Sequence, residues 1–375
     1  MSQVEESDAL HGRVAQFIKG SLAGTTTEGF EQLALALARY QARHVDAVAR
    51  SLAANGLSAA SLATVEAIPA IPTDAFRLRR IAAHPESLDE RAFLTSGTTA
   101  AERGLHAMRT TRTYRLAALA WAERLLYPGR TPDLEVRLVG LLENEQRAPA
   151  SSLSFMMARL AERLGRASWH FDGERLDLEG VRRAVEEARR AQSPVFLAGT
   201  AFALAELVDT IGALPLPPGS FAMQTGGFKG RTREVSPAEL TRGLARVLAM
   251  PEIRVVGEYG MTELSSQLYQ AALAHVLGWC AVPLSRSAYY APPWLRVTAV
   301  DPATLAPVPR NTEGIARFVD LANVDSSVAI LTADRITVLD DGGVELHGRV
   351  AGAPPRGCSL ALEPFLSRHA DGKRS

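Results

Sequence analysis

Phe93-Leu94-Thr95-Ser96-Gly97-Thr98-Thr99 is the stretch on which the reading of this chain turns. Phe93 and Leu94 have the character of the end of a buried strand, and every residue after them is small and, Gly97 apart, carries a hydroxyl. Gly97 allows a tight turn and a close backbone approach. Hydroxyls and adjacent backbone N–H groups wrap anionic oxygens without adding bulk. Two readings stand here: a phosphate-holding loop, or a Ser/Thr turn that leads into a helix with one hydroxyl as its N-cap.

The surroundings are those of an α/β protein. Phe30, Leu33, Leu37, Tyr40, Val48 and Leu52 recur at three- and four-residue steps, which predicts a helix over 27–54. Ile68-Pro69-Ala70-Ile71-Pro72 excludes a central strand or a helix interior. After the hydroxyl stretch, helical and strand patterns alternate: a helix over 110–126, a strand at Val136–Leu142, helices over 153–164 and 178–190, strands at 194–198, 221–224 and 253–258, and helices from Ala201 and over 237–250. Such alternation predicts a largely parallel sheet covered by helices, with ligands outside the carboxyl ends of the strands. Arg182–Glu186 and Arg183–Glu187 are i,i+4 pairs of a solvated helix face. Beyond about Tyr290 the runs become short and alternating, at 295–300, 314–319, 328–331, 336–339 and 344–347, which predicts an antiparallel sheet or a distorted barrel. Asp341-Gly342 is a hairpin signal.

Composition narrows the function. Lys plus Arg and Asp plus Glu are 41 each, so no overall field selects nucleic acid or an anionic membrane. Cys280 and Cys358 are too few for a disulfide framework and lack metal-ligand spacing, which fits a reducing cytoplasm. The acidic start, Met1 to Asp8, has no apolar signal region, and no uncharged apolar run approaches a membrane span.

Four stretches place small or polar residues directly after an expected strand: Thr95–Thr99, Thr225-Gly226-Gly227, Tyr259-Gly260-Met261-Thr262-Glu263 and Thr332-Ala333-Asp334. Together they offer hydroxyls for phosphate, glycines for approach to a flat ring, an aromatic to stack on it, and carboxylates for ribose and metal. These are the parts of a nucleotide site. Walker A, the dinucleotide glycine fingerprint, HExxH and G-x-S-x-G are all missing from the sequence.

In this order the stretches resemble the adenylate-forming superfamily. Within it, Pro194–Thr200, Thr225–Gly230, Tyr259–Tyr269, Asp320-Leu321-Ala322-Asn323 and Arg356-Gly357-Cys358-Ser359 are similar to the acyl-protein synthetase family of bacterial luminescence systems. The similarity runs from about Pro69 to Leu360. It implies a large α/β domain with helix-flanked, mostly parallel sheets, a β-rich distorted barrel and a truncated C-terminal domain. The expected division is a helical region over 1–90, an adenylation core over 91–290, a β-rich subdomain over 291–350 and a short tail over 351–375.

The resemblance also implies ATP and Mg²⁺, a carboxylic acid substrate, fatty or aromatic, and an acyl-receiving reductase, carrier protein or CoA. Residue by residue, it implies Thr95, Ser96, Thr98 and Thr99 on the β- and γ-phosphates, with Gly97 at the turn of that loop. Thr262 would meet the α-phosphate and Glu263 the metal. Tyr259 would stack on adenine beside Gly226 and Gly227, with Gly260 following, and Asp334 and Arg349 would meet the ribose. Cys358 would take the acyl group as a thioester, its thiolate favoured by Arg356. Phe202, Met223, Phe228, Met261 and Trp294 are candidate pocket or core residues.

The sequence departs from the family in two places. Relatives often carry Gly and then Pro-Lys after the hydroxyl loop, where this chain has Ala100-Ala101-Glu102-Arg103. Arg103 would replace a point charge by a fork. The lysine-bearing C-terminal domain of the larger enzymes, roughly a hundred residues, has no counterpart before Ser375. These departures keep two alternatives in view: an ATP-independent acyltransferase working from acyl-CoA through Cys358, and a non-catalytic nucleotide-binding relative.

Overall fold

The computed structural model describes residues 1–95, 103–127, 135–226, 235–278, 285, 287–350, 361–362 and 365. They belong to two compact units: Met1–Ala120, Met261–Ser266 and Ala291–Ser375 form the first, Trp121–Gly260 and Gln267–Tyr290 the second.

The first unit opens with three helices, α1 (Gln3–Ala23), α2 (Phe30–His44) and α3 (Asp46–Ala54). Ser2 and Glu5 form a reciprocal capping box that starts α1, and Gly24 at φ +71° ends it. The single helix expected over 27–54 is broken at Val45, a buried β-branched residue in extended conformation between α2 and α3. The Pro-punctuated segment gives β1 (Ile71–Pro72) and the short α4 (Ala75–Leu78). Then come β2 (Arg91–Leu94) and β3 (Leu105–Met108), an antiparallel pair in which Phe93 faces His106 and Leu94 faces Leu105. The hydroxyl stretch is thus the connection of a hairpin. Ser96 to Thr99 themselves lie outside the described residues. Helix α5 (Arg112–Leu125) begins only after β3 and carries the chain into the second unit.

The second unit alternates as expected: β4 (Arg137–Leu141), α6 (Ser152–Leu164), β5 (Arg166–Trp169), α7 (Leu178–Arg190), β6 (Val195–Thr200), α8 (Ala201–Thr210), β7 (Phe221–Thr225), α9 (Pro237–Val247), β8 (Val255–Tyr259), β9 (Leu268–Gln270), α10 (Ala272–Val276) and β10 (Tyr289–Tyr290). The strand order is β10-β9-β8-β7-β6-β4-β5. From β8 to β5 all neighbours are parallel, while β9 and β10 each run antiparallel to the strand before them. Val139, Leu141, Val195 and Leu197 of the sheet pack with Val181 and Val185 of α7, Leu204 and Leu207 of α8, and Leu240 and Leu244 of α9 in one fully buried cluster. Strand β5 has no sequence signal because it is four residues long, holds no apolar run, and leaves Arg166 and Ala167 exposed and Ser168 and Trp169 half-buried; it forms after Gly165, at φ +98°, stops α6.

The chain returns to the first unit for β11 (Leu295–Val300), β12 (Glu313–Asp320), β13 (Ala329–Val338) and β14 (Val344–Arg349). They follow one another antiparallel in the order β11-β12-β13-β14, with β1 parallel on β13. Of the two forms left open for this region, the antiparallel sheet is the one found among the described residues. Two of the expected runs, 328–331 and 336–339, are one strand. Thr332-Ala333-Asp334 therefore lies inside β13 and does not follow a strand. Ile315 pairs with Arg335 and Arg317 with Leu331, so those three residues stand opposite Ala316 alone, as a bulge. Gly342 at φ +84° closes the β13–β14 hairpin.

Candidate functional site

In the first unit the site begins at the return Met261–Ser266, which carries Thr262 and Glu263. Its backbone is held by the end of β12. Asp320, fully buried, accepts from Ser265 N at 3.0 Å, Ser266 Oγ at 2.7 Å and Ala322 N at 2.9 Å. Burial pushes its carboxyl up to about 6, against those hydrogen bonds. Asn323 Nδ2 donates to Glu263 O at 2.9 Å and to Ser327 O at 3.0 Å. Trp294 Nε1 donates to Ser266 Oγ at 3.1 Å. The Asp320–Asn323 run is thus a cradle for the Thr262–Ser266 backbone.

Glu263 is 8 % exposed. Burial pushes its carboxyl up to about 7; its own backbone N–H and Arg349 act in the opposite direction, while Asp334 and Asp74 add to the rise. Asp334 and Arg349 are register partners of β13 and β14, with Arg349 Nε donating to Asp334 Oδ1 at 2.9 Å. The bulge in β13 lies where these two charges act on Glu263. Asp74 arrives from β1, whose register on β13 is fixed by Thr73 N donating to Leu331 O at 3.0 Å.

Thr95 closes the base of the hydroxyl hairpin: its N–H donates to Gly104 O at 2.9 Å, and its Oγ1 accepts from Gly104 N at 2.7 Å. A Cβ on Gly104 would come within 3.2 Å of both the Thr95 methyl and Phe76 Cβ, and within 3.4 Å of Arg77 Cγ, so the site is tight for any side chain. His106, in β3, reaches the carbonyl of Thr262 at 2.7 Å.

In the second unit, β7 and β8 pair through Thr225 and Glu258, so Gly226 and Tyr259 follow at neighbouring carboxyl ends. Gly226 has φ +70°, which favours glycine. The Tyr259 ring meets Tyr289 edge-on at 6.4 Å. Glu258 is buried and accepts from the Thr225 hydroxyl; burial pushes its carboxyl up to about 7. A Cβ on Gly260 would fall 2.6 Å from Glu258 Oε1, so a larger residue after Tyr259 would displace that carboxylate.

The structure therefore brings Thr262, Glu263, Asp334 and Arg349 into one unit with Thr95, and sets Gly226, Tyr259 and Gly260 at adjacent strand ends of the other. Ser96, Gly97, Thr98, Thr99, Gly227, Phe228, Cys280 and Cys358 lie outside the described residues. Met223 and Trp294 are fully buried. Sequence reasoning gave no role to His106, Asp320, Asn323, Glu258 or Asp74. Asp320 and Asn323 carried a signal in the resemblance; His106, a lone histidine in an apolar strand, carried none.

No protein-family model matches the chain. Over 87 residues it is 30 % identical to the long-chain-fatty-acid–luciferin-component ligase of Vibrio harveyi, a stretch that is 22 % of this chain and 23 % of that protein. Among solved structures, 2-hydroxyisobutyryl-CoA ligase in the postadenylation state with 2-HIB-AMP matches 93 % of this chain and 69 % of its own, with a TM-score of 0.61 and 14 % identity. ATP-bound MatB from Rhodopseudomonas palustris matches 69 % of this chain at TM-score 0.50 and 15 % identity, and the match spans 47 % of its length. The chain has the fold of these adenylate-forming ligases, and its local sequence similarity is to the luminescence-type ligase. It matches under a quarter of that relative and about half of MatB.

Proposed function

We propose that this protein activates a carboxylic acid with ATP, forming acyl-AMP and pyrophosphate, and then passes the acyl group to a thiol. The observation that carries the reading is Glu263: a buried carboxylate with weak compensation among the described residues, next to Thr262 and under the opposing charges of the Asp334–Arg349 pair, on the fold of adenylate-forming ligases.

A carboxylate is a poor electrophile, because its charge repels nucleophiles and oxide leaves badly. In the first step a carboxylate oxygen bonds to the α-phosphorus while the bond from that phosphorus to the bridging oxygen breaks and pyrophosphate departs. In the second a thiolate bonds to the acyl carbon and AMP leaves with the C–O electron pair. Fixed donors and charges already aimed at the phosphate oxygens lower the first barrier. Thr262 would donate to the α-phosphate, Thr95 with Ser96, Thr98 and Thr99 to the outer phosphates. Asp334 would accept from the ribose hydroxyls, with Arg349 holding that carboxylate in place, and Tyr259 would cover the adenine beside Gly226 and Gly227.

The residues also fit Mg²⁺. No group of three His, Cys, Asp or Glu at ligand distance occurs among the described residues. Mg²⁺ takes one or two carboxylates and leaves its remaining positions to phosphates and water. Glu263 would be that carboxylate, and the ion would neutralise charge on the phosphates. The thiol is Cys358 or a partner's, in a reductase, carrier protein or CoA.

Pyrophosphate exchange into ATP, run against a panel of fatty and aromatic acids, tests the first step. Acid-dependent exchange supports it; no exchange with any acid, beside an active control enzyme, refutes it. For the second step, Cys358→Ala is expected to keep exchange and lose the covalent acyl adduct in intact-mass spectra; an undiminished adduct would exclude Cys358 as acceptor.

A further inference from the structure

His106 is 2 % exposed and lies in β3 opposite Phe93, within the hairpin whose connection bears the hydroxyl stretch. Its Nδ1 is 2.7 Å from Thr262 O and its Nε2 2.9 Å from Ser326 Oγ. A carbonyl oxygen only accepts, so the ring proton resides on Nδ1, and Nε2 accepts from the Ser326 hydroxyl. The Phe76 ring packs edge-on at 5.8 Å and fixes the imidazole plane. Burial holds the ring neutral, with its pKa pushed down to about 4, so the same tautomer persists through the neutral range.

The bond to Thr262 O has a consequence one atom further on. The peptide joining Thr262 to Glu263 is planar and trans, so fixing its carbonyl also fixes the direction of its N–H. That N–H is the backbone donor that acts on the Glu263 carboxylate. A single imidazole therefore connects the hydroxyl hairpin to the peptide that orients Glu263. Asn323, from the other side, holds the next carbonyl along, Glu263 O.

We propose that His106 is a positioning residue: its Nδ1–H sets the Thr262–Glu263 peptide in register with the hairpin based at Thr95. The effect on chemistry rests on the adenylation reading above; the tie between hairpin and peptide does not. His106 touches no reacting atom. It acts through Thr262 and Glu263.

Two variants separate this from a packing role. His106→Asn places an amide nitrogen where Nδ1 stood and keeps the donor to Thr262 O. His106→Gln reaches toward Ser326 and gives up that donor. By hydrogen–deuterium exchange, the peptide covering 259–266 should lose protection in H106Q and keep it in H106N. In pyrophosphate exchange, H106Q should lower kcat by roughly a hundredfold, as misplacement of a reacting constellation does, while KM for ATP moves less and H106N stays near the parent. If packing alone mattered, both variants would lower the melting temperature and leave kcat per folded molecule unchanged, and that result overturns the proposal. Parental protection of 259–266 in H106Q overturns it as well. A parent protein with no acid-dependent exchange at all would refute the adenylation reading instead, and the protection difference between Gln and Asn would then decide the tie by itself.

Discussion

Asp325 and Glu263 are both buried in the first unit, and their surroundings are opposite. Asp325 Oδ1 accepts from Ser7 Oγ at 2.5 Å and Tyr40 OH at 3.2 Å, and Oδ2 faces His11 Nε2 at 2.8 Å and Arg109 Nε at 3.5 Å. Burial opposes its ionisation, yet the hydrogen bonds from His11 and Ser7 and the charges of His11 and Arg109 hold it down to about 2. Among the described residues, Glu263 has its own N–H and the field of Arg349 on its side, and two further acids against it. A compensated buried charge ties parts of a fold together; here it fastens α1 and α2 to the 320–327 segment. A buried charge left short of compensation costs stability and marks a place for chemistry.

The sharpest break of this comparison is to neutralise each carboxylate in turn. Glu263→Gln is expected to reduce acid-dependent exchange by about a thousandfold, the upper range for losing one electrostatic group at a reacting centre, with no loss of thermal stability. A stable variant with parental exchange would remove Glu263 from the chemistry. Asp325→Asn should do the reverse. It leaves His11 and Arg109 short of their buried partner and should cost about 3 kcal/mol in urea unfolding, while exchange per folded molecule stays near parental. If D325N were as stable as the parent, the Asp325 network would not be what fastens the helices.

The pH dependence of stability sharpens the contrast, because burial and pairing move the two carboxyls in opposite directions. Asp325 has a folded pKa below its unfolded value, so its contribution is full above pH ~4 and is lost as pH falls through about 2. Glu263 has a folded pKa raised to about 7, above an unfolded value near ~4.3. Its contribution is therefore full below that unfolded value and is lost as pH rises through about 7. Glu258 and Asp320, raised to about 7 and about 6, act with the same sign. Stability should fall between about pH 4 and about pH 7. Glu263→Gln should flatten that fall, since each tenfold difference in acid strength between the folded and unfolded chain corresponds to ~1.4 kcal/mol. Parallel urea series for parent and variant at the two pH values would show it; an identical fall in both proteins would contradict the assignment.

The smallest effect is expected at the ribose pair. Arg349 is largely exposed, so its ion pair with Asp334 adds little to folding. Arg349→Ala should leave stability within about 0.5 kcal/mol and weaken ATP binding by about fivefold, roughly 1 kcal/mol. Urea unfolding reads the first and calorimetric titration with ATP the second; unchanged affinity would separate Arg349 from the nucleotide.

The second unit was legible because its signal is local: buried strands such as Val195–Thr200 are short apolar runs, and α7 and α9 carry their caps, Asp177 and Ser236, beside their apolar stripes. Thr262, Glu263, Asp334 and Arg349 were singled out by motif order, and they fall in one unit. What escaped was long-range. Val45 interrupts a helical pattern that continues on both sides of it. Asp334 enters a strand because three residues bulge against one partner, which no local pattern announces. His106 and Asp325 act on partners more than a hundred residues away, and a single histidine or aspartate in a chain carries no mark of what it will face.

Adenylation itself is best decided by direct detection of the intermediate. The protein is incubated with ATP, Mg²⁺ and the acid panel, with no thiol acceptor added, and the quenched mixture is analysed by mass spectrometry. One or more acyl-AMP species are expected, with pyrophosphate released in step and neither product formed by Glu263→Gln. Intact ATP with every acid, together with acylation of the protein from acyl-CoA alone, would contradict ATP-dependent activation at Glu263.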